Sequence, residues 1–397
     1  MNKRIGIIDA ELIGNKKHRF PNLCSMKLSG YHKRQGDETC LLLSYEGLEN
    51  FDKVYISKVF TKTPVPSEVL SLPNVEYGGT GFFYDKAPHL PQEIEHSFPD
   101  YHLYDEWVKD KLLQGAKDSE LKFYLDYSIG YLTRGCFRKC YFCVNRNSKG
   151  SAPASPLSEF MTEERPKLCF LDDNFFSYTD WESLLQPVLD SKKPFQFNQG
   201  LDERLLTESK VEKMKTWRYD GDMIFAFDNI EDKDIIVKKL LLLRDYHHSV
   251  KFYVFCGCDK YGRYDTEFWR QDIANMFERI FILKSFGALP YIMRHEDVYN
   301  SPYSSFYSVV AAWCNQVSWF KSSTFRDFAR RRGMSVGTGG KYKNDFESYL
   351  ADGHKKGKSW REMEKIADQF PEISERYFDF VGKPVNSTEW VKILLDE

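Results

Sequence analysis

The sequence predicts an α/β protein that ends in a helical extension. Three observations lead to this prediction. Short apolar stretches alternate with polar or helical stretches over about the first hundred residues, six more strand and helix units follow as far as about residue 300, and the alternation then stops. Strands of a parallel sheet are apolar along their length because helices cover both faces. We therefore expect three regions, residues 1–110, 111–300 and 301–397.

The first region is predicted to be a flavodoxin-like or Rossmann-like domain with a parallel sheet. Apolar residues recur at helical spacing over residues 20–34, and Gly36 ends that helix. Glycines at Gly78, Gly79 and Gly81 would let the backbone approach a phosphate or a nucleotide. Residues 85–125 are predicted to be an extended connection with one helix. The predicted strands are residues 4–9, 39–43, 53–57 and 75–77.

Composition and charge narrow the class of protein. The chain has 397 residues, of which 42% are apolar, so it can bury a sizeable core. Its 56 basic and 58 acidic residues nearly cancel, so overall charge indicates neither a nucleic-acid nor a membrane partner. No apolar run has the length of a membrane span, and the first residues lack the apolar core of a signal peptide. We expect a cytoplasmic protein whose nine cysteines do not form a disulfide framework.

The second region begins with a strand, and the loop that follows this strand holds three cysteines. Cys136, Cys140 and Cys143 are separated by three and then by two residues. Thiolates at that spacing in a short irregular loop can converge on one inorganic cluster. A structural zinc site needs four ligands, and the next cysteine or histidine after these three is Cys169. An iron–sulfur cluster with three protein ligands would leave one iron open to a cofactor or a substrate.

The motif C-x3-C-x2-C, with Phe142 directly before its last cysteine, resembles the signature of the radical S-adenosylmethionine (SAM) superfamily. This resemblance implies that Cys136, Cys140 and Cys143 hold a 4Fe-4S cluster whose open iron takes the amino and carboxylate groups of SAM. A reductant of the flavodoxin or ferredoxin type would supply the electron that splits SAM into methionine and a 5′-deoxyadenosyl radical. The alternative is a zinc knuckle or three unrelated buried cysteines.

Six strands are predicted in the second region, with helices between them. Six is also the number of β/α units in the partial barrel that radical SAM cores resemble. The resemblance therefore implies a partial (β/α)6 barrel, in which chemistry lies at the C-terminal ends of the strands. The predicted strands are residues 127–132, 168–171, 195–198, 223–227, 252–255 and 289–293.

The resemblance implies cofactor-binding roles for residues at these strand ends. The end of the second strand, at Asp173, would hold the amino group of SAM through backbone carbonyls, and Asn198 follows the third strand. Asp228 would reach the ribose hydroxyls. The turn at Gly257 would admit the adenine, against which Phe142 would also lie. Because a polar residue just beyond a strand is often only a helix cap, a structural role stays open for each of them.

A cation also follows the third strand of the second region. Arg204 comes directly after two acidic residues, Asp202 and Glu203. A guanidinium group binds carboxylates through two parallel hydrogen bonds, so Arg204 could bind the carboxylate of SAM. It could equally form a salt bridge with its acidic neighbours.

The first region also resembles the cobalamin-binding-type domain that precedes many radical SAM modules. No D-x-H-x-x-G follows the first strand, so no histidine is offered as a lower cobalt ligand, which is common in the radical SAM branch. Two alternatives stay open: a domain that binds cobalamin, and a degenerate domain that only scaffolds the chain or contacts the substrate. The segments that carry the resemblance are FPNLCSMKLSGYHKRQGDET, VEYGGTGF and LPQEIEHSFPDYHLYDEW, while LDDNFF, FNQGLDERLL and FAFD in the second region resemble a poorly described branch of these proteins.

The third region is predicted to be helical and contains a basic stretch. Between Lys321 and Lys343 there are seven Lys or Arg residues and one acid, Asp327. Beside the aromatic residues Trp319 and Tyr342, this stretch could bind a nucleic-acid backbone or a nucleotide. The alternative is a solvated basic face of a helix. The basic residues are Lys321, Arg326, Arg330, Arg331, Arg332, Lys341 and Lys343.

The sequence therefore predicts a radical SAM enzyme that modifies an unknown substrate. The candidate reactions are methylation assisted by cobalamin, a rearrangement or oxidation without cobalamin, and methylthiolation. Methylthiolation usually goes with a second cluster on three N-terminal cysteines, and only Cys24 and Cys40 are present there. The alternative from another class is a binding module for nucleic acid or protein whose metal site is structural.

Overall fold

The computed structural model describes residues 2–14, 18–246, 248–335, 339–343 and 345–382, in two units. The first unit consists of residues 1–199 and 218–220, and the second of residues 200–217 and 221–397. The strands of the first unit are β1 (Arg4–Asp9), β2 (Glu38–Leu41), β3 (Lys53–Ser57), β4 (Val75–Gly78), β5 (Tyr127–Gly130), β6 (Thr133–Arg134), β7 (Ala152–Pro153), β8 (Lys167–Phe170) and β9 (Phe195–Phe197). Its helices are α1 (Ala10–Gly14), α2 (Leu23–Arg34), α3 (Thr80–Phe83), α4 (Gln92–Glu95), α5 (Asp105–Leu113), α6 (Lys122–Leu125) and α7 (Trp181–Asp190).

The second unit begins with α8 (Glu208–Met214) and contains a parallel sheet followed by helices. Its strands are β10 (Met223–Ala226), β11 (Val250–Cys256) and β12 (Leu289–Arg294). Its further helices are α9 (Lys233–Leu242), α10 (Thr266–Ser285), α11 (Ser304–Cys314), α12 (Val317–Ser322), α13 (Phe325–Arg332), α14 (Gly339–Tyr342), α15 (Phe346–Ala351), α16 (Lys358–Gln369) and α17 (Pro371–Ile373).

The first four strands form a parallel sheet in the order β2-β1-β3-β4. Flavodoxin-like sheets have this order in their first four strands, and ligands bind them beyond the carboxyl ends of the strands. Ile5, Ile7 and Ile8 of β1 are fully buried, as expected for a central strand with both faces covered. The α/β class predicted for this region is confirmed.

One apolar core joins this sheet to residues beyond it. Tyr104 and Trp107 pack in the same cluster as Ile5 of β1 and as Tyr127 and Ile129 of β5. The prediction that residues 85–125 form an extended connection with one helix is correct for the helix α5. It is wrong in treating the rest as a linker, because this segment also contains the short helices α4 and α6 and supplies part of the core. The boundaries at residues 110 and 300 stay predictions.

The remaining predicted strands are present, in separate sheets. In the first unit β5, β8 and β9 form a parallel sheet, and in the second unit β10, β11 and β12 form another. Because the two sheets belong to different units, a partial barrel built from all six strands stays a prediction. No helix in the described part of the chain is long and apolar enough to cross a membrane.

The residues after β12 are helical over most of their described length, as predicted. Trp313 and Phe325 pack together in the core of this part, with ring centroids 5.5 Å apart. Trp360 of α16 is also buried. The rest of the predicted extension, residues 383–397, lies outside the described residues.

Of the three glycines at the end of β4 and just beyond it, two allow close packing of the backbone against residues 58–60. A Cβ atom on Gly79 would lie 2.2 Å from the carbonyl oxygen of Lys58, and one on Gly81 would lie 2.8 Å from that of Phe60. Gly79 also has φ +106°, which side chains rarely adopt. Only Gly78 of the three borders open space. The prediction that all three glycines make room for a ligand is thus replaced by a packing role for two of them.

A buried polar cluster lies at the carboxyl end of β1. Asp9 is fully buried opposite Ser57 of β3, and its Oδ2 accepts a hydrogen bond from the hydroxyl of Tyr104 at 2.9 Å. Its Oδ1 has no hydrogen-bond partner in the described structure. Burial raises the pKa of Asp9 to about 7 and lowers the pKa of His18, whose Nε2 lies 3.9 Å from Asp9 Oδ2, to about 4. His18 is therefore uncharged at neutral pH, and no full ion pair offsets the buried carboxylate.

We expect Asp9→Asn to stabilise the protein above neutral pH. A carboxyl group whose pKa is raised in the folded state binds more protons there than in the unfolded chain, so its contribution to stability falls as pH rises from about 4 to about 7. Asparagine keeps an acceptor for Tyr104 and carries no charge. The free energy of unfolding, measured by urea titration, should exceed that of the wild type by on the order of 2 kcal/mol at about pH 8 and by much less at about pH 5.

Asp110→Asn is the matched control, because it removes an exposed carboxylate of α5. It should leave the pH dependence of stability as it is in the wild type. Equal stability of Asp9→Asn and the wild type at every pH would show that burial of the Asp9 carboxylate does not destabilise the fold.

Candidate functional site

The three cysteines lie on the loop between β6 and β7, which pair in antiparallel orientation and close its base. Gly135 begins the loop with φ +94°. A Cβ atom at this position would lie 2.1 Å from the carbonyl oxygen of Gly150 at the other end of the loop. Only glycine therefore allows the two ends of the loop to come this close.

Nitrogen donors of the chain point at the sulfur atoms of Cys136 and Cys143. Cys136 Sγ accepts hydrogen bonds from the backbone N–H of Arg138 at 3.3 Å and from Asn174 Nδ2 at 3.4 Å. Cys143 Sγ accepts one from the backbone N–H of Asn145 at 3.4 Å. Hydrogen bonds of this kind stabilise thiolate sulfur and tune the reduction potential of iron–sulfur clusters. The donor set of the loop therefore fits an iron–sulfur cluster.

The three sulfur atoms are not gathered around one centre. Over the described residues, no group of three or more His, Cys, Asp or Glu side chains is placed to hold a metal ion. Cys136, Cys140 and Cys143 are each partly buried on the same loop, and a bound cluster would have to turn their side chains to a common point. The assignment of these residues as ligands stays a prediction.

Two adjacent carboxylates after β8 hold the start of the loop. Asp172 is fully buried, and its Oδ1 accepts hydrogen bonds from the backbone N–H and the hydroxyl of Thr133, at 2.6 and 2.7 Å. Asp173 accepts from the backbone N–H of Gly135 at 2.7 Å and from Asn145 Nδ2 at 2.6 Å. Burial raises the pKa of Asp172 to about 7 and also raises the pKa of Asp173.

This arrangement gives Asp173 a role that the sequence analysis missed. Its side chain links the first residue of the cysteine loop to Asn145, which donates to Cys143. The predicted contact of this strand end with SAM runs through backbone carbonyls and stays a prediction. No local sequence pattern indicates that Asp173 holds the cysteine loop, because Asp173 and Gly135 are 38 positions apart in the sequence.

Residues that follow the N-terminal sheet hold the other side of the loop. The hydroxyl of Tyr84 donates to the carbonyl oxygen of Phe142 at 2.8 Å. Asp85 Oδ2 accepts from Arg146 Nε at 2.7 Å and from Asn147 Nδ2 at 2.9 Å. The hydrogen bond from Arg146 lowers the pKa of Asp85 below its usual value. The cysteine loop is therefore fixed from the N-terminal sheet as well as from β8, which the sequence analysis also missed.

Two further predicted residues of the first unit lie near strand ends or on the loop. The ring of Phe142 is partly buried and meets Tyr141 edge-on, with centroids 5.2 Å apart. Asn198 follows β9, and its backbone N–H donates to the carbonyl oxygen of Phe170 in β8 at 2.8 Å. Contact of either residue with SAM stays a prediction.

In the second unit, the ends of β10 and β11 are held together by Arg279, which is buried. Its Nη1 donates to the carbonyl oxygens of Phe227, Asp228 and Phe255 at 2.8–2.9 Å. Asp228 Oδ1 accepts from the backbone N–H of Phe255 at 3.1 Å, and burial raises the pKa of Asp228. This carboxylate therefore links two neighbouring strands, and its predicted contact with ribose stays a prediction.

Close packing against Val298 and a positive φ both favour glycine at position 257. Gly257 has φ +78°, and a Cβ atom here would lie 1.9 Å from Val298 Cγ2. Its backbone N–H donates to both carboxylate oxygens of Asp272 at 3.0 Å. Packing against Val298 is therefore one reason for a glycine at this position, and its predicted contact with adenine stays a prediction.

Arg204 forms the internal salt bridge that the sequence analysis left open. Its Nε lies 2.8 Å from Asp202 Oδ1 and its Nη1 lies 2.8 Å from Asp232 Oδ2. Neighbouring Glu203 is almost fully buried, and burial raises its pKa to about 8. A SAM carboxylate would have to compete with two carboxylates already in place, so we leave Arg204 out of the proposed site.

The predicted site residues divide between the two units. One site that includes all of them stays a prediction. In the first unit are Cys136, Cys140, Phe142, Cys143, Asp173 and Asn198, and in the second are Arg204, Asp228 and Gly257.

Comparisons with models of protein families and with curated proteins give no match. Among solved structures, the chain is similar to the radical S-adenosylmethionine methyltransferase TsrM from Kitasatospora setae, solved with cobalamin and a [4Fe-4S] cluster, with 10% identity, a TM-score of 0.49, and coverage of 74% of this chain and 75% of TsrM. It is also similar to the cobalamin-dependent S-adenosylmethionine radical enzyme OxsB, solved with aqua-cobalamin and S-adenosylmethionine, with 13% identity, a TM-score of 0.35, and coverage of 97% of this chain and 57% of OxsB. Similarity at this level does not transfer the cofactors or reactions of these enzymes to this chain.

Proposed function

We propose that the chain is a radical SAM enzyme that reductively cleaves S-adenosylmethionine at a 4Fe-4S cluster and modifies a substrate through the 5′-deoxyadenosyl radical. The observation that carries the proposal is the C-x3-C-x2-C loop, in which backbone and side-chain N–H groups already donate to the sulfur atoms of Cys136 and Cys143. In a cluster loop these N–H groups stabilise the charged ligands.

The chain's own contribution is to ligate the cluster and to hold the loop in one conformation. Cys136, Cys140 and Cys143 would bind three irons, and Asn174 would support the ligand Cys136. Asp173 and Asp85 fix the two sides of the loop through charge-assisted hydrogen bonds. When bound, the cluster supplies the electron that divides SAM, while the protein supplies orientation.

Cobalamin-assisted methylation is the reaction that we put forward for test. The carboxyl end of the N-terminal sheet, where ligands bind in such sheets, has partly exposed aromatic rings at Tyr77 and Phe83, stacked with centroids 5.8 Å apart. Gly78 borders open space there. These residues would hold cobalamin against the sheet, and cobalamin would supply a transferable methyl group.

The test is an anaerobic assay of SAM cleavage. The protein is reconstituted with iron and sulfide and reduced in the presence of SAM, and 5′-deoxyadenosine and S-adenosylhomocysteine are quantified, with the Cys136→Ala, Cys140→Ala, Cys143→Ala triple variant as blank. Deoxyadenosine that depends on the cysteines supports the proposal. S-adenosylhomocysteine formed only with added cobalamin supports methylation. Stoichiometric zinc, no uptake of iron and neither product would overturn the proposal in favour of a binding module with a structural metal.

A further inference from the structure

The helical part of the second unit contains an open cavity of about 320 Å³ that is lined mostly by polar and cationic residues. Two of its residues are the cations Arg332 and Lys358, at the end of α13 and the start of α16. Its other polar residues are serines, it has one apolar residue, and it has no carboxylate among its described walls. The serines are Ser304, Ser305, Ser308 and Ser359.

The two cations differ from the other basic residues nearby. Lys356 pairs with Glu364 at 2.7 Å, and Arg326 pairs with Asp379 at 2.8 Å. Within the described residues, neither Arg332 nor Lys358 takes part in an ion pair, and Arg332 is only placed over the ring of Phe328 at 5.9 Å. Two uncompensated positive charges at one concave surface create a local field that attracts anions.

Two helices begin at the same cavity. Ser304 and Ser305 open α11, which has 11 residues, and Lys358 and Ser359 open α16, which has 12. Neither helix has a side-chain cap. The N–H of Ser304 donates to the carbonyl oxygen of Ser301 at 3.3 Å, and the N–H groups that follow it in α11, like those that open α16, have no side-chain acceptor among the described residues. The positive ends of the two helix dipoles add to the charge of the cations.

Ser359 adds a hydroxyl donor to the cavity. Its side chain is only 9% exposed although it lines the cavity, and its hydroxyl has no hydrogen-bond partner in the part of the chain that the structure describes. The hydroxyl is open to the cavity, because it is not among the buried side-chain atoms that lack a partner, and it can therefore donate to an acceptor bound there. The walls thus combine guanidinium, ammonium, hydroxyl and backbone N–H groups. Phosphate oxygens accept hydrogen bonds from all four kinds of donor.

We propose that this cavity binds the phosphate group of a phosphorylated ligand. The site lies on α11, α13 and α16, and it is independent of the cysteine loop and of the proposed function. Of the basic stretch between Lys321 and Lys343, Arg332 is the residue that lines this cavity. Arg326, Arg331 and Lys341 of that stretch are engaged by Asp379, Trp319 and Asp352.

The experiment is a calorimetric titration of the full chain with inorganic phosphate, at constant ionic strength kept with chloride. Binding should be measurable in the wild type, weaker by about 10-fold in Arg332→Gln or Lys358→Gln, and absent in the double variant. Arg331→Gln is the matched control: it removes the neighbouring charge, which lies over the ring of Trp319 at 4.8 Å, and should leave the Kd unchanged. Both cations are exposed, so thermal unfolding without phosphate should be the same in all variants.

Ser359→Ala serves as a second probe that keeps both charges, and it should weaken phosphate binding by several-fold. Competition by a nucleoside 5′-monophosphate or by an oligonucleotide with a 5′-phosphate, each compared with its dephosphorylated form, identifies the source of the phosphate. No competition by either assigns the cavity to free phosphate. No binding of phosphate by the wild type, or the same Kd in the double variant, would overturn the proposal.

Discussion

Alanine at Cys136, Cys140 or Cys143, each changed alone, is expected to leave the reconstituted protein without visible absorbance and to reduce SAM cleavage to the background rate. A four-iron cluster with one open iron takes three thiolate ligands, so the loss of one would leave a second iron without a protein ligand and weaken the hold of the loop on the cluster. The unfolding temperature of the metal-free protein should stay near that of the wild type, because the three side chains are only partly buried on a loop. Iron content, visible spectrum and deoxyadenosine formation are the measurements.

Cys40→Ala is the matched control, since Cys40 is also partly buried but lies in β2, far along the chain from the loop. It should keep iron and activity. A variant of the loop that retained full iron content and full SAM cleavage would end the assignment of that cysteine as a ligand.

Asp173→Asn is expected to lower both iron content and SAM cleavage by about 10- to 100-fold while the protein stays folded. The carboxylate accepts from Gly135 and from Asn145. Asparagine offers one oxygen and one NH2 group, so one of the two donors would face another donor. Asp173 is a positioning residue in this account, and the readouts are iron bound per chain and the spectrum of the reduced cluster in addition to activity.

Asp180→Asn is the comparison for this variant, because it changes an exposed carboxylate at the start of α7 that only bonds Ser183. It should behave as the wild type in all readouts. If Asp173→Asn bound iron as the wild type does and gave the same reduced spectrum, Asp173 would have no part in holding the loop.

The positions of the strands were the most predictable feature of this chain. The predicted strands at residues 4–9 and 53–57 coincide with β1 and β3, and all other predicted strands overlap observed ones. The reason is physical: a parallel strand buried on both faces needs an uninterrupted apolar run, and such runs stand out between polar segments.

Contacts between residues that are far apart in the sequence could not be predicted from it. Asp173 looked like one of several polar residues after a strand, and its partner Gly135 is set by the fold. The packing of Gly257 against Val298 is equally invisible in the sequence. The segment 85–125 did carry a signal of burial, because the aromatic residues Tyr101, Tyr104 and Trp107 recur at intervals of three residues. All three lie in the same apolar core, and Trp107 lies in α5.

The apolar core that Trp107 shares with β1 and β5 limits how modular this protein can be. A fragment trimmed to residues 111–300 would present the fully buried Tyr127 and Ile129 to water, at a cost of roughly 2 kcal/mol for each side chain. It would also lack Tyr84 and Asp85, which hold the cysteine loop. A variant that carries the N-terminal sheet of another protein would therefore have to preserve these contacts. The sheet and the cysteine loop can be exchanged only together.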